Sequence, residues 1–271
     1  MPELPEVEII SRGIAPYVLG ETVTDVIVRN RRLRWPVPGQ LRKKLIGQSI
    51  EKITRRAKYT VFHTGQGCML IHLGMSGSLR IITGNQSPGK HDHIDIVFAS
   101  GRCLRFRDPR RFGSIHWTGD APLQHKLLRY LGPEPLSEEL SGDYLFKKSR
   151  KRTQSVKTFI MDSHIVAGVG NIYANEALFT AGIHPQRKAG NISKLRYEKL
   201  AAAIRQVLQQ ALAKGGTTLR DFVNGEGAPG YFRPELKVYG RAGEPCVICN
   251  SIIRVIRIGQ RSTFYCPLCQ R

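Results

Sequence analysis

No stretch of the 271-residue chain approaches the ~18 continuous apolar residues of a membrane-spanning helix, which excludes an integral helical membrane protein. A secretory leader is missing too. The start, Met1-Pro2-Glu3-Leu4-Pro5-Glu6-Val7-Glu8, is acidic and carries two prolines, so the expected location is the cytosol or nucleoid, where disulfides do not persist. Acids are scarce, with 21 Asp and Glu against 42 Lys and Arg and a formal net charge of +21. Such a chain attracts polyanions, and with membrane the weakest candidate, nucleic acid or the ribosome remain. The basic regions hold almost no carboxylates, which argues against a metal-dependent nuclease. Internal repeats are absent, and the length predicts two or three domains.

Six cysteines in a reducing compartment require ligation or burial rather than pairing. Cys246-x2-Cys249 and Cys266-x2-Cys269 stand sixteen residues apart, a spacing that fits a four-thiolate zinc site. Each CxxC knuckle presents two sulfurs to one ion. The segment between them suits a hairpin: Ile252, Ile253, Val255, Ile256 and Ile258 precede a Gly259-Gln260 turn, and Thr263-Phe264-Tyr265 follow it. The competing reading is a redox dithiol pair, and two CxxC units in one short β-rich tail count against it. Cys68 and Cys103 stand alone and read as small buried residues.

Up to residue 132 the chain reads mostly as strands. Segments 22–29, 59–63, 68–72, 93–98 and 103–106 are rich in β-branched and aromatic residues, with Gly, Asn, Ser and Pro between them. Short strands so punctuated suggest a sandwich or barrel. An early helix precedes them, with Pro5 suited to its first turn, Glu6 and Glu8 to its positive end, and Gly13 to its exit. Gly132-Pro133-Glu134-Pro135-Leu136 reads as a linker, and the chain is then helical to about residue 223. The clearest helix runs from a Ser193 cap to Gly215-Gly216, with Tyr197, Leu200, Ile204, Val207, Leu208 and Ala211 at helical spacing. A Gly/Pro-rich stretch leads to the cysteine tail. The predicted class is α+β multidomain: a β domain at 1–132, a helical domain at 133–223, a loop at 224–236 and a zinc-binding hairpin at 237–271.

Basic residues cluster at Arg29, Arg31, Arg32 and Arg34; at Arg102, Arg105, Arg107, Arg110 and Arg111, with only Asp108 among them; at Lys147, Lys148, Arg150, Lys151, Arg152 and Lys157; and at Arg254, Arg257, Arg261 and Arg271. One run is usually a solvated face, whereas four predict phosphate contacts. Gly168-Val169-Gly170-Asn171 opens a predicted helix over 172–181 that stops at Gly182; its free N–H groups suit an anion, and a plain tight turn is the alternative. A dinucleotide fingerprint would want glycine where Tyr173 stands. His91, His93 and Asp95 would share a strand face, which permits a second metal without requiring it.

At the N-terminus, Met1 precedes a small residue and is commonly removed from such sequences. That would expose the secondary amine of Pro2, which can attack an aldehyde-like carbon, with Glu3 beside it to shuttle protons. An α-amino group titrates at ~7.7–8.0, so a useful fraction is neutral. The bland alternative is that this segment is only a helix leader.

Five segments in order carry a resemblance: the first eight residues, His72-Leu73-Gly74-Met75-Ser76-Gly77, Asp108-Pro109-Arg110-Arg111-Phe112-Gly113, residues 168–173, and the four-cysteine tail with Gln260-Arg261-Ser262-Thr263. From end to end the chain resembles the formamidopyrimidine-DNA glycosylases, bacterial enzymes of 8-oxoguanine repair. The resemblance implies an N-terminal β-sandwich with its helix, a helix–two-turn–helix domain, a loop that closes over the damaged base, and a zinc finger. It implies a bacterial, monomeric enzyme with one structural Zn2+, acting on double-stranded damaged DNA and not on membranes. Pro2 is then the nucleophile at C1′ and Glu3 the acid, with Lys58 and Arg261 assisting elimination and gripping phosphate. His91, Arg110, Arg152, Lys157 and Asn171 match DNA-binding positions, and Met75, Arg110 and Phe112 match the residues that fill the gap left by a flipped base. The related endonuclease VIII branch, acting on oxidised pyrimidines, is the alternative; that branch usually has glycine where Leu4 stands.

Overall fold

Pro5 and Glu6 start the first helix as the sequence predicts. Helix α1 (Leu4–Val18) holds proline in its first turn and Glu6 at its positive end. It does not leave at Gly13, the expected exit. Ile14 and Val18 lie on the same face, are fully buried, and continue the helix past a glycine that costs about 1 kcal/mol. The structure, a computed structural model, describes residues 2–84, 86–119, 121–215 and 236–271. Met1 and most of the predicted loop at 224–236 therefore lie outside the described residues.

Two antiparallel sheets follow α1. One is ordered β1 (Val23–Val28), β6 (Asp92–Phe98), β7 (Cys103–Arg107) and β5 (Ser78–Ile82). The other is ordered β2 (Lys52–Arg56), β3 (Tyr59–Thr64), β4 (Gly67–His72) and β8 (Ser114–Thr118). Ile10 and Ile14 of α1 share one buried cluster with Phe62 and Ile71 of the second sheet and with Leu79, Ile94 and Phe106 of the first. The inner faces of both sheets thus bury a common core, the sandwich solution to alternating apolar strands. A short helix α2 (Leu41–Leu45) adds Leu41 and Leu45 to that core.

The described residues divide into two compact units, one running to Arg129 and one holding Tyr130–Ala213 with the cysteine tail. In the second, α3 (Gly142–Ser149) and α4 (Val156–Met161) start at Ser141 and Ser155, whose side chains accept the amides of Tyr144 and Thr158. Helix α5 (Asn171–Thr180) begins after Gly170 and ends before Gly182 at φ +66, as its glycines predict. Helix α6 (Lys194–Gly215) has the predicted bounds and buries Tyr197, Leu200, Ile204 and Leu208. The rings of Tyr197 and Phe159 meet edge to face at 6.0 Å.

In the tail, β9 (Arg254–Ile258) pairs with β10 (Arg261–Tyr265), and Gly259 and Gln260 turn between them at φ +55 and +61. Two positive φ values in a two-residue loop are the type I′ geometry that suits the twist of a hairpin. Ile253, expected in the first strand, instead sits in a buried cluster with Phe179, Val238, Cys246 and Cys266. Glu176 of α5 accepts the backbone amides of Lys237, Val238 and Tyr239 at 3.0, 2.9 and 2.9 Å, which docks the segment entering the hairpin.

Candidate functional site

Glu3 occupies the N-cap of α1 and is 2 % exposed. Its amide donates to Glu6 Oε2 at 2.7 Å, and its carboxylate accepts the amide three residues on. This reciprocal cap satisfies two of the amides that a helix start leaves unpaired. Pro2 stands immediately before it.

Lys58 lies in the two-residue turn between β2 and β3, where Arg56 pairs with Tyr59. Ala57 adopts φ +52, a left-handed conformation that costs energy in a residue with a side chain. Arg55 supports the turn: its Nη1 donates to the Ala57 carbonyl and its Nε to Glu8 Oε2, each at 2.8 Å. Burial alone would raise the Glu8 carboxyl, but hydrogen bonds from Arg12 and Arg55 outweigh it and hold it below its usual value. Ser11 and Thr60 add a buried hydroxyl pair at 2.9 Å. The helix that carries Pro2 and Glu3 is thereby tied to the turn that carries Lys58.

His72 ends β4, with its ring 4.8 Å from that of Tyr59. Burial first, then the positive charges of Lys58 and Arg34, push it down to about 4. It is neutral at physiological pH, so its Nδ1 can accept the Gly74 amide at 3.0 Å. Just beyond, Met75 and Phe112 are 41 % and 43 % exposed, and the Arg110 guanidinium lies 4.9 Å from the Phe112 ring centre. Two bulky apolar groups and a cation are presented together on neighbouring loops.

The possible second metal face does not form. A bulge between Asp92 and Ile94 breaks the strand alternation. His93 Nε2 bonds the Asp108 carbonyl at 2.8 Å, and Asp95 takes Arg29 at 2.6 Å and Arg105 at 2.8 Å. Burial would raise the Asp95 carboxyl, and those two arginines instead hold it low. His91 is half-buried, with its carbonyl on the Asp108 amide. Arg102, Arg105 and Arg107 of the next cluster are likewise paired, with Glu21, Asp95 and Asp92, and Arg105 is buried. Only Arg110 and Arg111 of that cluster are fully exposed.

In the second unit, Arg152 and Arg261 are exposed and Asn171 is half-buried at the start of α5. Lys157, expected at a phosphate, is 1 % exposed; its Nζ donates to the Ser262 carbonyl at 3.1 Å and to Thr263 Oγ1 at 2.7 Å. Asn171 Nδ2 reaches the same Ser262 carbonyl at 3.2 Å. Both side chains therefore brace the hairpin residue that follows Arg261. Lys157 and Arg261 also line one cleft with Gln154, Thr158 and Asp162.

The four tail cysteines bring their sulfurs within 4.8 Å of one another, with Cys249 and Cys266 at 3.4 Å and Cys246 and Cys269 at 3.9 Å. Sulfurs about 2.3 Å from one tetrahedral zinc lie roughly 3.8 Å apart, so the donor set fits that ion. The amides of Ile248 and Cys269 point at Cys246 and Cys266 sulfurs, which stabilises thiolates. Among the described residues no other His, Cys, Asp or Glu group is arranged to hold a metal. One structural zinc belongs here. Cys68 is buried, as expected, whereas Cys103 is half-buried beside Asp95 and its thiol is pushed up to about 12 by burial and that carboxylate.

Reading residue types missed Arg55 and Glu176, and gave Glu8 only a place at the positive end of the first helix. Only Glu176 left a trace, as an acid inside the apolar run of α5.

Three family descriptions match the chain in order: the formamidopyrimidine-DNA glycosylase N-terminal domain at residues 1–115, its H2TH domain at 131–223, and the zinc finger found in FPG and IleRS at 243–271. The formamidopyrimidine-DNA glycosylases of Nitrosococcus oceani and Marinobacter nauticus are 57% and 58% identical, with all of both chains covered. The crystal structure of a Lactococcus lactis FPG mutant in complex with a Fapy-dG containing DNA matches with a TM-score of 0.90 at 34% identity, again over all of both chains. The chain belongs to the formamidopyrimidine-DNA glycosylase family.

Proposed function

We propose that this chain is a bifunctional DNA glycosylase and AP lyase that removes 8-oxoguanine and formamidopyrimidines from duplex DNA and then nicks the strand. The observation that carries this reading is the helix-capped Pro2-Glu3 pair tied through Glu8 and Arg55 to the Lys58 turn. With Met1 removed, the Pro2 nitrogen is a secondary amine at the positive end of α1, where the helix dipole disfavours its protonated form. The neutral amine bonds to C1′ as the base departs. Glu3 supplies the proton that lets the sugar ring open to an iminium, and β- and δ-elimination then release the strand ends.

Lys58 assists elimination, and Arg261 at the hairpin turn grips a phosphate. Arg152, Asn171 and His91 are further DNA contacts. Met75, Arg110 and Phe112 fill the space vacated by the flipped nucleotide, recovering part of the few kcal/mol that unstacking costs. Arg110 offers donors to an orphaned cytosine, whose carbonyl and ring nitrogen accept. Zinc is structural here; its four thiolates hold the finger that presents Arg261. The division of labour is a catalytic domain at 1–132, a DNA-binding helical domain at 133–223, a capping loop at 224–236 and the finger at 237–271, working as a cytoplasmic monomer. Leu4 and the Met75, Arg110, Phe112 set favour the purine lesion over the oxidised pyrimidine.

Borohydride reduction tests the chemistry, because only an imine between enzyme and DNA yields a stable adduct. A covalent complex with an 8-oxoguanine duplex is expected, and it is expected to vanish when Met1 is retained, since the proline nitrogen is then an amide. Normal base excision by protein shown by intact mass to keep Met1 would overturn the reading.

A further inference from the structure

Asp108 is the one acid in a run of five arginines, and it is fully buried. Its carboxylate is shared between two loops. Oδ1 accepts the Ser76 hydroxyl at 2.6 Å and the Arg110 amide at 3.3 Å, and Oδ2 accepts the Gly113 amide at 2.7 Å. The Ser76 oxygen accepts the Arg110 amide in turn at 3.1 Å. The main chain of Asp108 is held as well: its amide donates to the His91 carbonyl at 3.0 Å, and its carbonyl takes His93 Nε2 and the Arg111 amide. The last of these closes an Asp-Pro turn that keeps Arg111 at φ +56.

The facing loop is fixed just as fully. The Gly74 amide is bound by His72, and the Gly77 amide by the Leu73 carbonyl at 2.8 Å. Gly74, at φ +62, lies so close to Phe112 that a Cβ there would sit 2.3 Å from the Phe112 carbonyl carbon. The exposed side chains of Met75, Arg110 and Phe112 therefore project from a frame in which, among the described residues, the Ser76–Asp108 pair is the only side-chain hydrogen-bond link between the loops. Neither residue is fully exposed, and Asp108 is sealed from solvent.

We infer that Ser76 and Asp108 are positioning residues that lock the Met75 loop against the Arg110–Phe112 loop and so set how strictly the base opposite the lesion is read. The inference rests on the wedge role proposed above for Met75, Arg110 and Phe112. A donor fork reads a base only if it is held in register, and a loop that can slide relative to its neighbour accepts wrong partners. The clasp acts on discrimination more than on rate.

The test is the ratio of kcat/KM for 8-oxoguanine excision opposite cytosine to that opposite adenine, which cancels a general loss of activity. Loss of one buried hydrogen bond in Ser76→Ala is expected to lower this ratio about three- to tenfold, and Ser76→Thr to restore most of it, because the hydroxyl returns. Asp108→Asn, with one acceptor oxygen fewer for three donors, is expected to lower it further. If Asp108→Asn fails to fold, Ser76→Ala decides alone. An unchanged ratio in Ser76→Ala, or a loss that Ser76→Thr does not rescue, overturns the clasp. Arg110→Ala separates the two levels: if it leaves the ratio intact, the wedge reading itself fails, whereas a loss in Arg110→Ala beside an intact ratio in Ser76→Ala sinks only the clasp.

Discussion

The guanidinium of Arg55 meets Glu8 at 2.8 Å and reaches past it to the Ala57 carbonyl, at the same distance. One side chain therefore ties the helix that follows Pro2 and Glu3 to the Lys58 turn. Arg55→Ala is expected to slow strand cleavage at a preformed abasic site about tenfold or more, since small misplacements of reacting groups cost that much. Affinity for the same DNA is expected to change little, because the Arg55 side chain is only 10% exposed. Single-turnover cleavage compared with equilibrium binding checks this. Equal losses in both would show that Arg55 is a DNA contact.

Metal removal is expected to unfold the finger, because thiolate coordination supplies much of the folding energy of such small units. Metal analysis is expected to find about one zinc per chain. Cys249→Ser or prolonged chelation is expected to weaken DNA binding, while brief EDTA treatment leaves borohydride trapping intact. Full affinity in a zinc-free preparation would contradict the structural role.

Arg152 and Lys157 are neighbours in sequence with different expected behaviour. Arg152→Ala is expected to weaken binding to all duplexes and to flatten the salt dependence by roughly one unit of slope. Lys157→Met takes one of two donors from the Ser262 carbonyl and the ammonium from Thr263 Oγ1, so it is expected to destabilise the fold by about 1–3 kcal/mol in urea while the slope stays the same. A reduced slope in Lys157→Met would return that lysine to the phosphate surface.

Acid stability follows from two histidines. His72 and His116 are both pushed down to about 4, in each case chiefly by burial, with Lys58 and Arg34 adding to the first and His125 and Lys126 to the second. Above pH ~6.5 both are neutral, folded or unfolded, and their contribution is fully present. As the pH falls from there toward 4, only the unfolded chain takes up protons. Stability is therefore expected to drop across that window, by up to about 3 kcal/mol for each histidine. His116 Nε2 is buried and has no hydrogen-bond partner among the described residues, so His116→Leu is expected to flatten the acid limb and to raise stability at neutral pH. Urea unfolding at a series of pH values reads both effects.

The local rules in the sequence were mostly obeyed. The Gly259-Gln260 turn and the cysteine spacing each depend on neighbours a few residues apart, and each formed where expected, whereas a bulge upset the alternation at His93. Gly13 failed as a stop because Ile14 and Val18 found partners in a core that local reading does not see. The roles proposed for Lys58 and Met75 come from the resemblance alone, and residue chemistry offered Pro2 and Glu3 only as one reading beside a plain helix leader. Pro2, Lys58 and Met75 have no composition signature, since a leader proline, a turn lysine and an apolar methionine are ordinary residues. Charge was the least reliable guide at single positions. Arg105 looks like a phosphate ligand in sequence yet bonds Asp95 on the neighbouring strand, and the Lys157 ammonium is buried against Thr263, 106 residues away. Their burial is set by pairing across the fold, which no window on the chain reveals.

The grip of Glu176 on three successive amides of the segment entering the finger has a consequence for recovery from metal loss. That carboxylate belongs to α5 and touches no cysteine, so the segment stays anchored when the ion departs. The metal-free tail is then a tethered strand with its start already in place, and the returning ion has only to close a short loop. Closing a short tether costs far less entropy than gathering four ligands from a free chain. Helix α5 thus serves the finger as a mooring, and chelation of the metal is expected to be reversible without unfolding the rest of the unit.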